Sequence, residues 1–473
     1  MYNETLHKRS PGSSLRATSR DLCAFLAASR FDDLPPVVVL AAQRGILDWI
    51  GCALAGSDHP SLTPLLEVLR RVSGAEGATV FGRRMKLGVA DAAIANGYMG
   101  HVLDYDDTHL GGTILHTSSP VLAALLALSE LQPVSGRDLV LAYVCGFEAG
   151  IRCGQAAPGH HKGGWHLTGT LGCLAAGIAA GKLLGVNEQG LLHALGIAAT
   201  QAAGMQQNRG TMCKYLHAGK AASGGVLAGL LAQQGFDSAG DIIEGAQGFS
   251  RIYSDTAEPA ALVDGLGTRW EITRNGYKPY ASAAVLHPVT DAMREIRAAA
   301  GAIDPRDVAS IELIVSPYVM SISGVRSPET GMQAKFSVFH TAAVGLVDGD
   351  GGVPQYTDER VRDPAVLALR EKVGIVIDEH LRKDQARANA VIAGRTHRSA
   401  IEHARGTVDN PMDDVSIEAK FMANAERIVS AAAACRLVEL VRDVERLDDA
   451  SQLPRLCVPA GEKTSEESNG KRA

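Results

Sequence analysis

From about residue 19 to about residue 270 the chain is a succession of helical patterns written almost entirely in Ala, Leu, Val and Gly, and that vocabulary decides how it can pack. Hydrophobic residues make up 46% of the sequence but aromatics only 5%, while 51 positions are glycine. A core with few rings must be filled by Ala, Val and Leu, and small side chains favour helices that approach one another closely. Local start and stop signals agree. Ser19 or Asp21 can cap a first helix, Pro35 and Pro36 suit the start of one reaching Gly56, and Ser61 to Ser73 reads as another. After the extended or loop-like TVFGRRMKLG, helical patterning resumes at Val89. Pro120 to Leu131 is a short apolar helix, Ser135-x-x-Asp138 is an acidic capping box, Asn187 caps NEQGLLHALGIAATQAAG, and Gly235 suits a helix end.

Composition changes near Arg274. Strand-like runs (SIELIVS, NAVIAGRT, HRSAIEHA) now alternate with helical segments (HPVTDAMREIRAAAGA, SVFHTAAVGLVDG, DPAVLALREKVG), which predicts a smaller α+β domain. Helical patterning returns with NPMDDVSIEAKF and MANAERIVSAAAACRLVELVRDVERL, expected to rejoin the first domain. The expected organisation is mainly α. It comprises a disordered N-terminus over 1–17, a helical domain over 18–272, an α+β domain over 273–407, returning helices over 408–457 and a disordered tail over 458–473.

A net charge of -6 leaves no basic footprint, so nucleic acid is not an expected partner. No apolar run is read as long enough to span a membrane, and the N-terminus lacks the apolar core of a secretory signal. A cytoplasmic protein without a membrane partner is the expectation. The eight cysteines are scattered with no C-x-x-C, which argues against zinc or iron–sulfur ligation and predicts mostly buried free thiols.

Into this apolar background Asn96 to His116, NGYMGHVLDYDDTHLGGTILH, inserts three histidines, three aspartates and two threonines. If the preceding helix continues, Gly97, His101, Asp104 and Thr108 share one face. Such groups in apolar surroundings need partners or a task. The glycines at 97 and 100 would let another helix or a ligand come close. Asp106, Asp107 and Thr108 could instead simply cap the next segment. A metal at Asp104-x-Asp106-Asp107-x-His109 is disfavoured because a helix points adjacent aspartates about 100° apart. No metal or cofactor is expected.

Three further polar segments interrupt the apolar pattern. In His160-His161-Lys162-Gly163-Gly164-Trp165-His166 the first two histidines are expected at the surface and His166, before a small-residue helix, facing inward. Lys214, between Arg209 and His217, sits at a helix start where a cation opposes the macrodipole, and pairing with an anion would explain it. Lys278 between Tyr277 and Tyr280, in a stretch reaching His287, lies where composition changes and suits a cleft wall, or equally a structural turn. Cations from two segments with Asp and His from a third suggest binding of a small carboxylate and proton transfer beside it. No phosphate loop, strand-linked G-x-G-x-x-G or G-x-S-x-G elbow is present.

NGYMGHVLDYDDTH, WHLTGTLGCLAAG, CKYLHAGKAA, YKPYASAAVLHP, KFSVFHTAAVGLVDG with QYTDERVRDPAV, and NPMDDVSIEAKF together resemble the MmgE/PrpD family, in order from about residue 20 to 455. That family includes 2-methylcitrate dehydratase, cis-aconitate decarboxylase and iminodisuccinate epimerase. The resemblance implies a large all-helical domain with an α+β lid, a homodimer, and chemistry without a metal or organic cofactor. It implies active-site groups at Asp104, Thr108, His116, His166, Lys214 and Lys278. Where many relatives carry Cys, Arg or His shortly after the last lysine, this chain has Ala281, Ser282, Ala283 and Ala284, which points to a smaller or less charged acid.

The expected function is a cofactor-independent lyase of a small di- or tricarboxylic acid, most simply a 2-methylcitrate dehydratase-like enzyme. Lys214 and Lys278 would hold carboxylates, with His101 and Tyr280 also at the substrate. Asp104, oriented by Thr108, and His116 or His166 would move protons on opposite sides of the bond that breaks. The alternatives are an epimerase or isomerase of a small dicarboxylate, a cis-aconitate decarboxylase-like activity, or a non-catalytic metabolite-binding dimer.

Overall fold

Thr18 opens the first helix: its side chain accepts from the Asp21 backbone and Asp21 caps it in return, one residue ahead of the expected Ser19. The structure, a computed structural model, describes residues 18–459. The disorder expected over 1–17, and in the tail from residue 460, lies outside the described residues. Nine helices build the first layer: α1 (Ser19–Ala28), α2 (Pro36–Gly56), α3 (Leu62–Val72), α4 (Val89–Val102), α5 (Ser118–Leu128), α6 (Gly136–Gln155), α7 (Leu167–Leu183), α8 (Glu188–Ala199) and α9 (Met212–Gln233). Ser135 caps α6 through the Asp138 amide and Asn187 caps α8 through that of Gly190.

The small residues do bring backbones together. A Cβ placed on Gly219 of α9 would lie 2.3 Å from the Ile94 carbonyl oxygen of α4, and one on Gly97 would lie 3.0 Å from the Gly219 Cα. The neighbour admitted at Gly97 is therefore a helix, and at Gly100 it is the indole of Trp49. Helix α2 corrects one expectation: its 21 residues are long and apolar enough to cross a membrane by length and composition. Here most of it is buried against other helices, with Asp48 paired to Lys420 and Arg44 to Asp414.

A second core lies between residues 283 and 401, where helices His287–Ala300 and Val338–Val347 pack beside a four-stranded sheet. The strands run in the order Val373–Ile377, Val308–Val315, Ala386–Ile392, Arg395–Ile401. The first pair is parallel, with Ile311 opposite Val373, and the other two are antiparallel. NAVIAGRT is not one strand: Ala393 and Gly394, both at positive φ, turn the chain back in a two-residue hairpin. DPAVLALREKVG likewise ends its helix at Arg370 and feeds the first strand of the sheet. Beyond the sheet, Asp414–Ala425 and Ala431–Arg442 form two helices, the second capped by Ser430, and both pack on α2. All eight cysteines are free; Cys213 and Cys435 are exposed and the rest buried.

Candidate active site

The floor of the site forms where α4 stops. Leu103 closes the helix and Asp104 takes a left-handed backbone conformation, φ +52°. That position after a helix usually belongs to Gly or Asn, and Asp is among the few other residues that tolerate it. The helix face expected to run from Gly97 to Thr108 therefore ends at His101. Thr108–His109 instead forms a two-residue strand paired with Asn275–Gly276, which brings the segment holding Lys278 to the Asp104 turn.

Two lysines meet the Asp104 carboxylate. Lys278 donates to Oδ1 at 2.6 Å and to the Asp104 carbonyl at 3.0 Å, while Lys214, the third residue of α9, donates to Oδ2. The anion that Lys214 needed at its helix start is thus the protein's own. Burial would raise the Asp104 pKa, but the ammonium groups of Lys214 and Lys278 hold the carboxyl well below the usual carboxylate range. Burial lowers Lys214 even with Asp104 beside it. A third lysine, Lys335, lies behind the turn, donating to the carbonyls of Leu103 at 2.7 Å and Ala281 at 2.8 Å; burial brings its pKa to about 7. The sequence signal for Lys335 is a single charged residue inside the otherwise largely apolar AKFSVF.

Histidines stand beside this cluster. His116 Nδ1 lies 2.8 Å from the Asp107 carbonyl and 3.1 Å from Thr108 Oγ1. A carbonyl can only accept, so Nδ1 carries the hydrogen and Nε2 keeps its lone pair. Burial pushes His116 down to about 3 and His166 well below 6.5, leaving both neutral near pH 7. His166 Nδ1 is 2.9 Å from His217 Nδ1. His101 is fully buried and packs on His116 and His166, with ring centroids at 4.8 and 5.6 Å. It backs these two residues and is not among the cavity's lining.

Asp106 and Asp107 face apart. Asp106 accepts from His101 Nδ1 at 2.9 Å and Ser119 Oγ at 2.7 Å, whereas Asp107 accepts from Ser118 Oγ and Asn275 Nδ2. Asp107 also meets the Ser118 amide at the start of α5. His101, Asp106 and His116 bring their ligand atoms within 4.8 Å of one another. The His101 Nδ1 hydrogen goes to Asp106 and that of His116 to the Asp107 carbonyl, while His116 Nδ1 stands 3.6 Å from Asp106. From beneath, Lys420 donates to Asp48 and to the Tyr105 carbonyl, both at 2.7 Å, fixing the loop that carries the aspartates.

A cavity of about 470 Å³ opens above the floor, lined by Asp104, Thr108, His116, His166, Lys214 and Lys278 together with residues of the 283–409 segment. Tyr280 is not among its lining: its hydroxyl donates to Asp291 and accepts from Arg294, away from the cavity. Arg209 and His287, members of the polar segments around Lys214 and Lys278, also line the cavity, as do Lys383 and Arg405, which the sequence did not single out. His160, expected at the surface, is 1% exposed among the rings of Trp165, Phe249 and Tyr253; His161 is half-buried at the cavity.

Residues 20–262 match the MmgE/PrpD N-terminal domain and residues 280–446 the MmgE/PrpD C-terminal domain. The chain is 29% identical to cis-aconitate decarboxylase of Aspergillus terreus, over 95% of this chain and 98% of that protein. It is 27% identical to the mouse cis-aconitate decarboxylase over 93% of each chain, and 26% identical to the human one over 93% of this chain and 95% of that protein. The chain belongs to the MmgE/PrpD family.

Proposed function

We propose that this chain is a lyase of a small polycarboxylic acid and that it decarboxylates a cis-aconitate-like substrate. The observation that supports this most is the Asp104 carboxylate shared by Lys214 and Lys278 at the cavity floor. Two ammonium groups against one carboxylate leave positive charge for a substrate carboxylate to join. Loss of CO₂ leaves an electron pair that spreads into an adjacent conjugated carboxylate, and the lysines stabilise that charge as it builds. The carbon is then protonated. The imidazole of His116 or His166, whose pKa rises when an anion binds beside it, is close enough to the cluster to supply the proton. Dehydration, the simplest expectation from sequence, additionally requires an acid for the departing hydroxide, and the relatives named above are decarboxylases.

The test is incubation with cis-aconitate and with 2-methylcitrate in D₂O, following CO₂ release and product by NMR. Release of CO₂ with one deuteron placed on carbon supports the reading. Dehydration of 2-methylcitrate without CO₂ would replace it by a hydro-lyase. Neither product, and no deuterium entering any acid tested, would leave a binding protein without this chemistry.

A further inference from the structure

The cavity's lining is of two kinds. Its floor carries the lysines and Asp104, and Ala283, Ala284, Val285, Ile322 and Phe336 give its lining an apolar wall. Ala283, Val285 and Phe336 belong to the second hydrophobic core and are 7, 7 and 5% exposed. The apolar wall begins at the anchor itself, since the Phe336 ring centroid lies 5.1 Å from Lys214 Nζ. A carboxylate pressed against these side chains would meet no donor from them and would carry a desolvation penalty. At about 470 Å³ the cavity lies within the range of pockets that enclose ligands of drug size.

We infer that the substrate carries an apolar branch of several carbons, seated against Ala283, Ala284, Val285, Ile322 and Phe336, with its carboxylates confined to the Lys214–Lys278 floor. This rests on the carboxylate-binding floor proposed above and specifies the acid it takes. The competing occupant is a second, distant carboxylate reaching the cations Arg209, Lys383 and Arg405, which also line the cavity.

Calorimetric binding to the full chain separates these without depending on turnover. The probes are succinates bearing a 2-alkyl group from methyl to hexyl, and the same series ending in an ω-carboxylate. Affinity is expected to rise about fourfold per added methylene, the equivalent of about 0.8 kcal/mol, until the wall is covered. Ala284→Leu should then shorten the chain length at which affinity peaks, and Ile322→Asn should flatten the series while succinate itself binds as before. A flat alkyl series in the wild-type chain, or tighter binding of the ω-carboxylates, overturns the inference. If the alkyl trend appears but no acid is turned over, the lyase reading fails and this one stands. If cis-aconitate is decarboxylated and no alkyl trend appears, the reverse holds.

Discussion

Replacing Asp104 by Asn removes a charge and little else. Asn tolerates a left-handed backbone as well as Asp does, so the turn at φ +52° carries no new strain, and the side chain keeps its size. What remains is two buried lysines facing each other without their counter-ion, with Lys335 close behind. Breaking a buried pair from one side costs about 3–5 kcal/mol. With about 2.1 cal/mol/K of unfolding entropy per residue, the 442 described residues give an entropy near 0.9 kcal/mol/K, so the melting temperature should fall by about 3–5 °C. If Asp104 also takes part in proton transfer, kcat should fall by about 10² to 10⁴, while KM stays level or drops because the lysines are freed for the substrate. The double variant Asp104→Asn/Lys214→Met, which removes one orphan charge, should recover much of the melting temperature and none of the turnover. Calorimetry and CO₂ release measured on the same preparations decide the matter. An Asn variant that melts and turns over like the wild type refutes the electrostatic account of the floor; one that melts lower but turns over normally reduces Asp104 to a structural part.

Acid should destabilise the fold. Burial lowers the pKa of eight described histidines, among them His116, His160 and His287 to about 3. Between about pH 6.5, where an unfolded histidine titrates, and about pH 3 the unfolded chain binds more protons, so stability falls with pH. Asp107 and Glu148, which burial raises to about 7, and Asp48 and Asp291, which it also raises, oppose this but are fewer. A melting temperature that is flat or rising from pH 7 to 5 would contradict the balance. Gly219→Ala should push α9 off the Ile94 carbonyl, costing about 1–3 kcal/mol and lowering melting temperature and turnover together; Gly74→Ala, with open space at its Cβ, is the control expected to do neither. Lys335→Met leaves the Leu103 and Ala281 carbonyls without their donor, at about 1–3 kcal/mol for each group, and should lower kcat more than it raises KM; an unchanged kcat would separate Lys335 from the Asp104 turn. Dialysis against a strong chelator should leave turnover intact, and activity restored only by a divalent metal would show that His101, Asp106 and His116 do more than hydrogen-bond.

The helices were legible because their signals are local. Thr18 and Asp21, Ser135 and Asp138, and Asn187 act within one turn, and a run of small residues keeps its period whatever it packs against. The parallel strand Val373–Ile377 was not legible, since five residues after a helix carry too short a period to separate strand from helix. At the site, residue types pointed to Asp104, Lys214 and Lys278, and the family resemblance to His116, but not to their geometry. The left-handed turn at Asp104 breaks the helical period, so no counting along the sequence could place Thr108 correctly. His101 and Tyr280 carry site-like chemistry and face inward or sideways, because their partners, Asp106 in one case and Asp291 with Arg294 in the other, are chosen by tertiary packing. Lys335 was obscured for the same reason: its acceptors are two carbonyls in distant segments.

The pairing of Asp48 with Lys420 has a consequence for how the chain is made. The two are 372 residues apart, so at about 5–20 residues per second a ribosome finishes Asp48 roughly 20–75 s before Lys420 exists. Asp104 waits in the same way for Lys278, 174 residues downstream. Throughout that interval α2 carries an acid destined for the interior and nothing to neutralise it. It can dock only with Asp48 protonated, or it must hold back and leave its apolar face to whatever meets the nascent chain. The helical layer is therefore sealed only once the chain has passed through the whole sheet and delivered the lysine that follows it.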